Sequence, residues 1–266
     1  MEFPIWIPFQ SEWWTFFIIL ASIPILIYFS ELTLKLKVLS PESNRRLVHF
    51  FVGILITISP FIFSDYLLPS ILALIFLIIN YLAYHSEKLL GIHSQGRVTY
   101  GTIYFPLGYL AIAIGFWQYS EFIIISLAIL AVADPIAAII GENTSKDNKF
   151  IIWKDKKTIK GTITFYSISF FLILLLGKLL FQFSNSYLLC FALFSAIGST
   201  IAEITSSKGS DNLSIPIVSI LFMIGFVERA KPSQSDFFTI IFSPFLIIIL
   251  CSALIFYIAF KLKTLS

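Results

Sequence analysis

Residues 101–141 read GTIYFPLGYLAIAIGFWQYSEFIIISLAILAVADPIAAIIG, with Glu121 and Asp134 as their only charged side chains. A membrane-spanning helix needs about 20 mostly apolar residues. This stretch therefore predicts two crossings, 102–118 and 121–141, split at the polar break from Gln118 to Glu121. The same pattern recurs on both sides, with apolar segments at 13–34, 46–64, 66–84, 160–182, 186–204, 213–228 and 237–260. Breaks such as Ser64-Asp65 and Ser184 to Ser186 are short, so the expected count is about nine crossings and as few as seven if two breaks do not separate helices. The predicted fold class is all-α, a polytopic integral membrane protein, because a helix satisfies its own backbone in lipid.

Composition excludes the alternatives. The 266 residues are 58% hydrophobic and 12% charged, where a soluble globule has roughly 45–50% apolar and about 25% charged residues. The apolar excess also excludes disorder. Two cysteines, Cys190 and Cys251, cannot build a disulfide scaffold, and each lies in an apolar stretch where a thiol behaves as a small hydrophobe. The net charge of +3 comes from 18 Lys and Arg against 15 Asp and Glu. No basic face with interleaved aromatics forms, so no nucleic-acid partner is expected. The first basic residue, Lys35, follows the first apolar segment, which makes that segment a retained helix rather than a secretory signal.

Charge placement predicts the orientation. With nine crossings and the N-terminus outside, all but Lys178, Arg229 and Lys231 of the 18 basic residues fall on the inner side, as cytoplasmic loops of membrane proteins do. The C-terminus is then cytoplasmic. Residues 1–266 read as a single membrane-embedded domain, multi-pass in a bacterial plasma membrane or a eukaryotic membrane of the endoplasmic-reticulum type. Nothing in the sequence specifies an oligomeric state.

Polar residues in such a chain mark pairing partners or functional sites, and here they form five clusters on the expected inner face. In Glu42-Ser43-Asn44-Arg45-Arg46-Leu47-Val48-His49, Arg45 and His49 share a helix face; the segment serves as a membrane anchor or as a phosphate clamp. Arg97-Val98-Thr99-Tyr100-Gly101-Thr102 leads into a helix bent or begun by Pro106. Ala131, Asp134, Ala138 and Gly141 form a stripe of small residues around one carboxylate. Close helix packing explains the small residues. It does not explain the acid, which lies about 10 Å inside the helix end and needs a cation, a partner or water.

The loop 142–160 holds six lysines and ends in Lys156-Lys157-Thr158-Ile159-Lys160-Gly161. It reads as a solvated loop on anionic headgroups or as a polyphosphate site at a helix N-terminus. No G-x-x-x-x-G-K-[ST] loop exists, so any nucleotide site is of another kind. Glu203 with Asp211-Asn212, before Pro216, offers oxygen ligands that suit Mg²⁺, and Asp211 or Asn212 would equally serve as a helix cap.

In order and spacing these residues resemble the CTP-dependent lipid-alcohol kinases, the family of dolichol, phytol and farnesol kinases and the yeast-type CTP-dependent diacylglycerol kinase. The resemblance covers about residues 42–220. It rests on Arg45-Arg46-Leu47-Val48-His49, Gly101 with Phe105-Pro106-Leu107, Asp134-x-x-Ala137-x-x-x-Gly141, Lys156-Lys157-Thr158-x-x-Gly161, Glu203 and Asp211-Asn212-Leu213-Ser214-Ile215-Pro216. The chain departs from the family pattern at Ser145, near the usual second glycine, and at Lys160, where an acid is common. The resemblance implies Mg²⁺-dependent transfer of the γ-phosphate of CTP to the hydroxyl of a polyprenol, a phytol-type alcohol or diacylglycerol at the cytoplasmic interface.

It also implies roles. Asp134, Asp211, Glu203 and Asn212 would hold Mg²⁺, with Asp134, His49 and Asp211 as the catalytic set. Arg45, Arg46, Arg97, Gly101, Ala137, Gly141, Lys156, Lys157, Thr158 and Gly161 would bind the nucleotide. Two rivals use the same residues. A phosphatidate cytidylyltransferase also needs acids, Mg²⁺ and a lysine-rich loop, and a membrane cation or proton-coupled carrier could use Asp134, although a carrier is expected to place its polar groups near the midplane.

Overall fold

The computed structural model describes residues 4–85, 100–143, 149–152 and 155–230. Among the described residues, ten helices run in chain order as α1 (Glu12–Lys35), α2 (Pro41–Thr57), α3 (Ser59–Ile62), α4 (Leu67–His85), α5 (Gly101–Phe116), α6 (Ser120–Ala128), α7 (Asp134–Glu142), α8 (Ile159–Leu180), α9 (Asn185–Thr205) and α10 (Asp211–Ala230). Single turns at Pro8–Gln10 and Trp117–Tyr119 and a π turn at Ile129–Ala133 complete the helical segments. The expected segment 237–260, with Cys251, lies outside the described residues.

Among the described residues, six stretches are long and apolar enough to cross a membrane: Glu12–Lys35, Leu67–Tyr84, Gly101–Glu142, Ile159–Leu180, Asn185–Thr205 and Asp211–Ala230. The stretch Gly101–Glu142 is not one rod. Gly101 and Gly141 line the same cavity, yet a straight helix would hold them about 60 Å apart at 1.5 Å per residue. The chain reverses at the expected break, where Phe116 (φ −134°, ψ 14°) and Tyr119 (φ −111°, ψ 46°) leave helical geometry.

The expected helix 46–64 is corrected to two pieces. α2 starts earlier because Ser40 caps it, accepting from the Ser43 N–H at 3.2 Å, and Pro41 follows at the first helical position. At 17 residues it is too short to count among the six. α2 stops because Pro60 has no N–H for the Ile56 carbonyl, and Ser59 Oγ takes that carbonyl at 2.6 Å instead.

The fold is helical as expected, with one small addition. Within the lysine-rich segment, β1 (Lys149–Ile152) and β2 (Asp155–Thr158) form an antiparallel hairpin, with Lys149 opposite Thr158 and Ile152 opposite Asp155. Phe150 and Ile152 are half-buried while Lys149 and Ile151 face out, the period-2 pattern of a strand. Surrounding lysines mask that pattern in the sequence.

Two apolar cores flank a central cavity. The larger one unites α5, α6, α8, α9 and α10 through fully buried Ile112, Ile123, Phe165, Phe191 and Phe226. A smaller one joins α1, α3 and α4 through Phe16, Ile19, Phe63 and Leu72. Asn44, itself buried, clips α2 to α1 by donating to Ser30 Oγ at 2.5 Å and accepting from Thr33 Oγ1 at 2.7 Å. Gly53 of α2 faces Ala131 so closely that an added Cβ would stand 2.6 Å from the alanine methyl. α2 therefore lies directly on the π turn that precedes Asp134.

Candidate active site

The π turn decides what Asp134 and His49 can do. In π geometry the carbonyl of residue i meets the amide of residue i+5, so the partner of Leu130 would be residue 135. That residue is Pro135, which has no N–H. The Leu130 carbonyl is left to His49, whose Nε2 lies 3.1 Å away. A carbonyl only accepts, so Nε2 carries the proton and the lone pair of neutral His49 sits on Nδ1. The same Nε2 is 3.8 Å from Asp134 Oδ2, within ion-pair range and beyond a hydrogen bond. The ring also meets Phe105 edge-on, with centroids 5.1 Å apart.

Basic residues stand around this pair. Arg46 pairs with Glu142 at the end of α7, and Nε of both Arg45 and Arg46 is buried without a partner. Lys157, on β2, spends all three of its protons: on Glu203 Oε1 at 2.6 Å, on the Glu203 carbonyl at 2.8 Å and on Ser206 Oγ at 3.2 Å. It offers the cavity its charge rather than a free N–H. Lys156 is exposed at the cavity rim.

Opposite them stand the acids and the amide. Asn212 Nδ2 donates to the carbonyls of Gly101 and Gly209, both at 3.3 Å, which ties the start of α10 to the start of α5. Its Oδ1 and Glu203 Oε2 are buried acceptors without partners, an arrangement that costs free energy unless something arrives to bind them. Asp134 lies within electrostatic range of Asp211, Glu203, Lys157 and Arg45. Among the described residues, no group of three or more His, Cys, Asp or Glu converges closely enough to hold a metal unaided. The donor set is instead oxygen-rich and incomplete, which fits Mg²⁺, a cation that completes its shell with water and phosphate oxygens. Glu203 Oε2, Asn212 Oδ1, Asp211 and Asp134 are the groups that would hold it.

The small residues of these motifs have a packing role that the sequence reading did not give them. Thr158 Oγ1 caps α8 by accepting from the Gly161 N–H at 3.0 Å. Gly141 and Gly161 both close on that hydroxyl, where a Cβ on either would come within 2.7 and 2.8 Å, and Ala137 presents its carbonyl 3.2 Å from the Gly161 position. α7 and α8 thus cross at backbone contact, which sets the hairpin across the cavity mouth. Asp155 Oδ2 accepts from the Lys208 N–H at 2.7 Å and fixes the hairpin to the turn between α9 and α10.

All of these groups line one cavity of about 570 Å³. It gathers Arg45, Arg46, His49, Gly101, Asp134, Ala137, Gly141, Lys156, Lys157, Thr158, Gly161, Glu203, Asp211 and Asn212 from positions far apart in the chain. Arg97 lies outside the described residues. Away from the charged mouth, the same cavity continues as an apolar arm between α1, α2, α4 and α5, with Ile23, Val52, Ala73 and Phe76 on its walls. Sequence reasoning missed this arm, along with Glu142 as the partner of Arg46 and Ser206 as a partner of Lys157. α1 is apolar throughout the bilayer-length stretch, so no residue in it signals a cavity wall.

A cavity with a charged mouth and an apolar arm, set in a bundle of membrane-length helices, is the architecture of a membrane protein. The chain is similar to phytol kinase of Synechocystis sp., with 27% identity over 194 residues that cover 72% of this chain and 82% of that protein. It is also similar to phytol kinase 1, chloroplastic, of Arabidopsis thaliana, with 26% identity over 216 residues that cover 73% of this chain and 69% of that protein. No protein-family profile matches the chain, and no solved structure does. These relatives agree with the family resemblance in the motifs: the chain is a relative of the lipid-alcohol kinases.

Proposed function

We propose that the protein transfers the γ-phosphate of CTP to the hydroxyl of a membrane lipid alcohol in a Mg²⁺-dependent reaction on the cytoplasmic side of the membrane. The observation that carries this reading is the single cavity in which unpartnered donors, unpartnered acceptors and an apolar arm meet at Asp134. Phosphoryl transfer asks a protein mainly for positioning and charge neutralisation, and those are what the mouth supplies.

The triphosphate enters at the hairpin. Arg45 and Arg46 each have a buried Nε–H to donate to phosphate oxygens, and Lys156 and Lys157 add positive charge beside them. Glu203, Asn212, Asp211 and Asp134 would hold Mg²⁺, which would supply neutralisation of negative charge on the triphosphate. The lipid hydroxyl comes from the apolar arm. Its oxygen forms a bond to the γ-phosphorus, the bond from that phosphorus to the bridging oxygen of CDP breaks, and CDP leaves. Asp134 accepts the hydroxyl proton, while His49, held on the Leu130 carbonyl, fixes the wall against which the acid sits.

The experiment uses purified protein with Mg²⁺, a panel of lipid alcohols plus phosphatidate, and CTP labelled at either the γ- or the α-phosphate. Label from the γ position in an extracted lipid monophosphate is the expected result. Label from the α position would make the protein a cytidylyltransferase, and label from neither, with ATP and GTP also silent, would return the carrier reading.

A further inference from the structure

The apolar arm has a definite depth and a floor. Both His49 and Ser59 line the cavity; α2 from His49 to Thr57 rises about 12 Å, and the step into α3 carries the lining on to Ser59, for a depth of about 15 Å. That is about half of the ~30 Å hydrocarbon thickness of a bilayer, or one leaflet. Phe63 lines the deep end and is 1% exposed, whereas the next three residues, Ser64, Asp65 and Tyr66, are exposed. The ring therefore separates the arm from the far surface.

The chain around that floor is tied down from two sides. The Ile5 N–H donates to the Phe61 carbonyl at 2.7 Å, and Trp117 Nε1 donates to the Ser64 carbonyl at 3.3 Å. Partway up, Ala73 is the smallest side chain on the α4 wall, between Leu72 and Phe76, and is 3% exposed. It leaves open the width that a larger residue would close. The whole cavity of about 570 Å³ also has to hold the polar chemistry of the mouth, so the arm has room for one chain rather than two.

We infer that this arm gauges the lipid tail: it seats a single-chain alcohol about one leaflet long, with Phe63 as the floor that sets maximum length and Ala73 as the opening a tail must pass. This rests on the lipid-alcohol kinase reading and adds residues that determine which alcohol is taken. Tails that stop short leave apolar walls uncovered, and much longer polyprenols or two-chained diacylglycerols do not fit beneath the floor.

The test compares kcat/KM of the full chain, reconstituted in lipid vesicles, for geraniol, farnesol, phytol and undecaprenol, alone and in competition. One further methylene in an apolar pocket changes such ratios by about tenfold or more, so wild type is expected to favour phytol over geraniol by at least that factor. Ala73→Phe should lower the phytol-to-geraniol ratio at least about tenfold. Phe63→Ala should raise the undecaprenol-to-phytol ratio by a similar factor, and it reads the same arm from its other end should the first variant not fold. Ratios in both variants that superimpose on wild type overturn the gauge and leave the kinase reading standing, as does a wild-type preference for diacylglycerol. Failure of wild type to phosphorylate any alcohol overturns the kinase reading itself, and the gauge with it.

Discussion

His49 Nε2, on α2, lies 3.1 Å from the carbonyl of Leu130, a residue 81 positions further along the chain. That carbonyl is available because Pro135 cannot supply the amide that the π turn would bring to it. Pro135→Ala restores an N–H at that position, which then competes with His49. A hydrogen bond is worth about 1 kcal/mol net, so a loosened His49 should lower kcat by roughly five- to tenfold. KM for the nucleotide should stay within about twofold, since neither residue donates to the phosphates. Steady-state kinetics of the variant checks the split; a rise in KM with kcat unchanged would remove this bond from the positioning of the acid.

Asp134→Asn keeps the volume of the side chain and removes its charge. If the carboxylate accepts the proton and shares in metal binding, kcat should fall by at least about 10³. The variant should remain folded, with a melting temperature in detergent at or above that of wild type, because a half-buried acid near Asp211 and Glu203 is costly. Radiolabel transfer and thermal unfolding on the same preparation read both quantities, and retained turnover would exclude Asp134 from the chemistry.

Much of this was legible in the sequence, for a physical reason. A helix that crosses lipid must be apolar over its whole length, so segment positions could be read from composition, and charged residues inside them stood out. Asp134, His49 and Glu203 stand out that way, and the fold brings all three to one cavity. The two pieces of 46–64 do not stand out, since the break at Pro60 depends on Ser59 taking the Ile56 carbonyl, a local hydrogen bond with no compositional trace. The hairpin at 149–158 was hidden because lysines are as numerous as its apolar residues and interrupt their alternation. The apolar arm was illegible for the opposite reason: where α1 and α4 are apolar over most of their faces, little distinguishes a wall of a cavity from a surface against lipid. Pairings such as Lys157 with Glu203, 46 residues apart, are set by tertiary packing alone.

Lys157 and Glu203 form a half-buried pair, with side chains 16% and 13% exposed. Removing one partner strands the other, so Lys157→Met and Glu203→Gln should each cost about 1–3 kcal/mol of stability. The double variant should recover part of that loss, because replacing both members of such a pair is milder than breaking it. Chemical unfolding in detergent of the four proteins gives the coupling energy. Strict additivity would mean that the pair does not hold β2 to α9. Activity should not recover in the double variant, since Glu203 Oε2 and the lysine charge are both lost from the cavity mouth.

The contact between Gly53 and Ala131 provides a test of how α2 seats the site. A Cβ at position 53 would lie 2.6 Å from the Ala131 methyl and 3.0 Å from its Cα, closer than packed carbons approach. Because the neighbouring atoms belong to the backbone and first carbon of the π turn, no side-chain rotation relieves the overlap. Gly53→Ala should therefore push α2 away from the turn, lengthen the His49 to Leu130 contact, and cost about 1–3 kcal/mol as overpacking does. Removing the opposing methyl with Ala131→Gly in the same chain takes away the nearest clash. The double variant should regain most of the lost thermal stability and turnover together, since one displacement causes both losses. If stability returns while turnover does not, the approach of α2 to the π turn is needed for packing but does not set the position of His49.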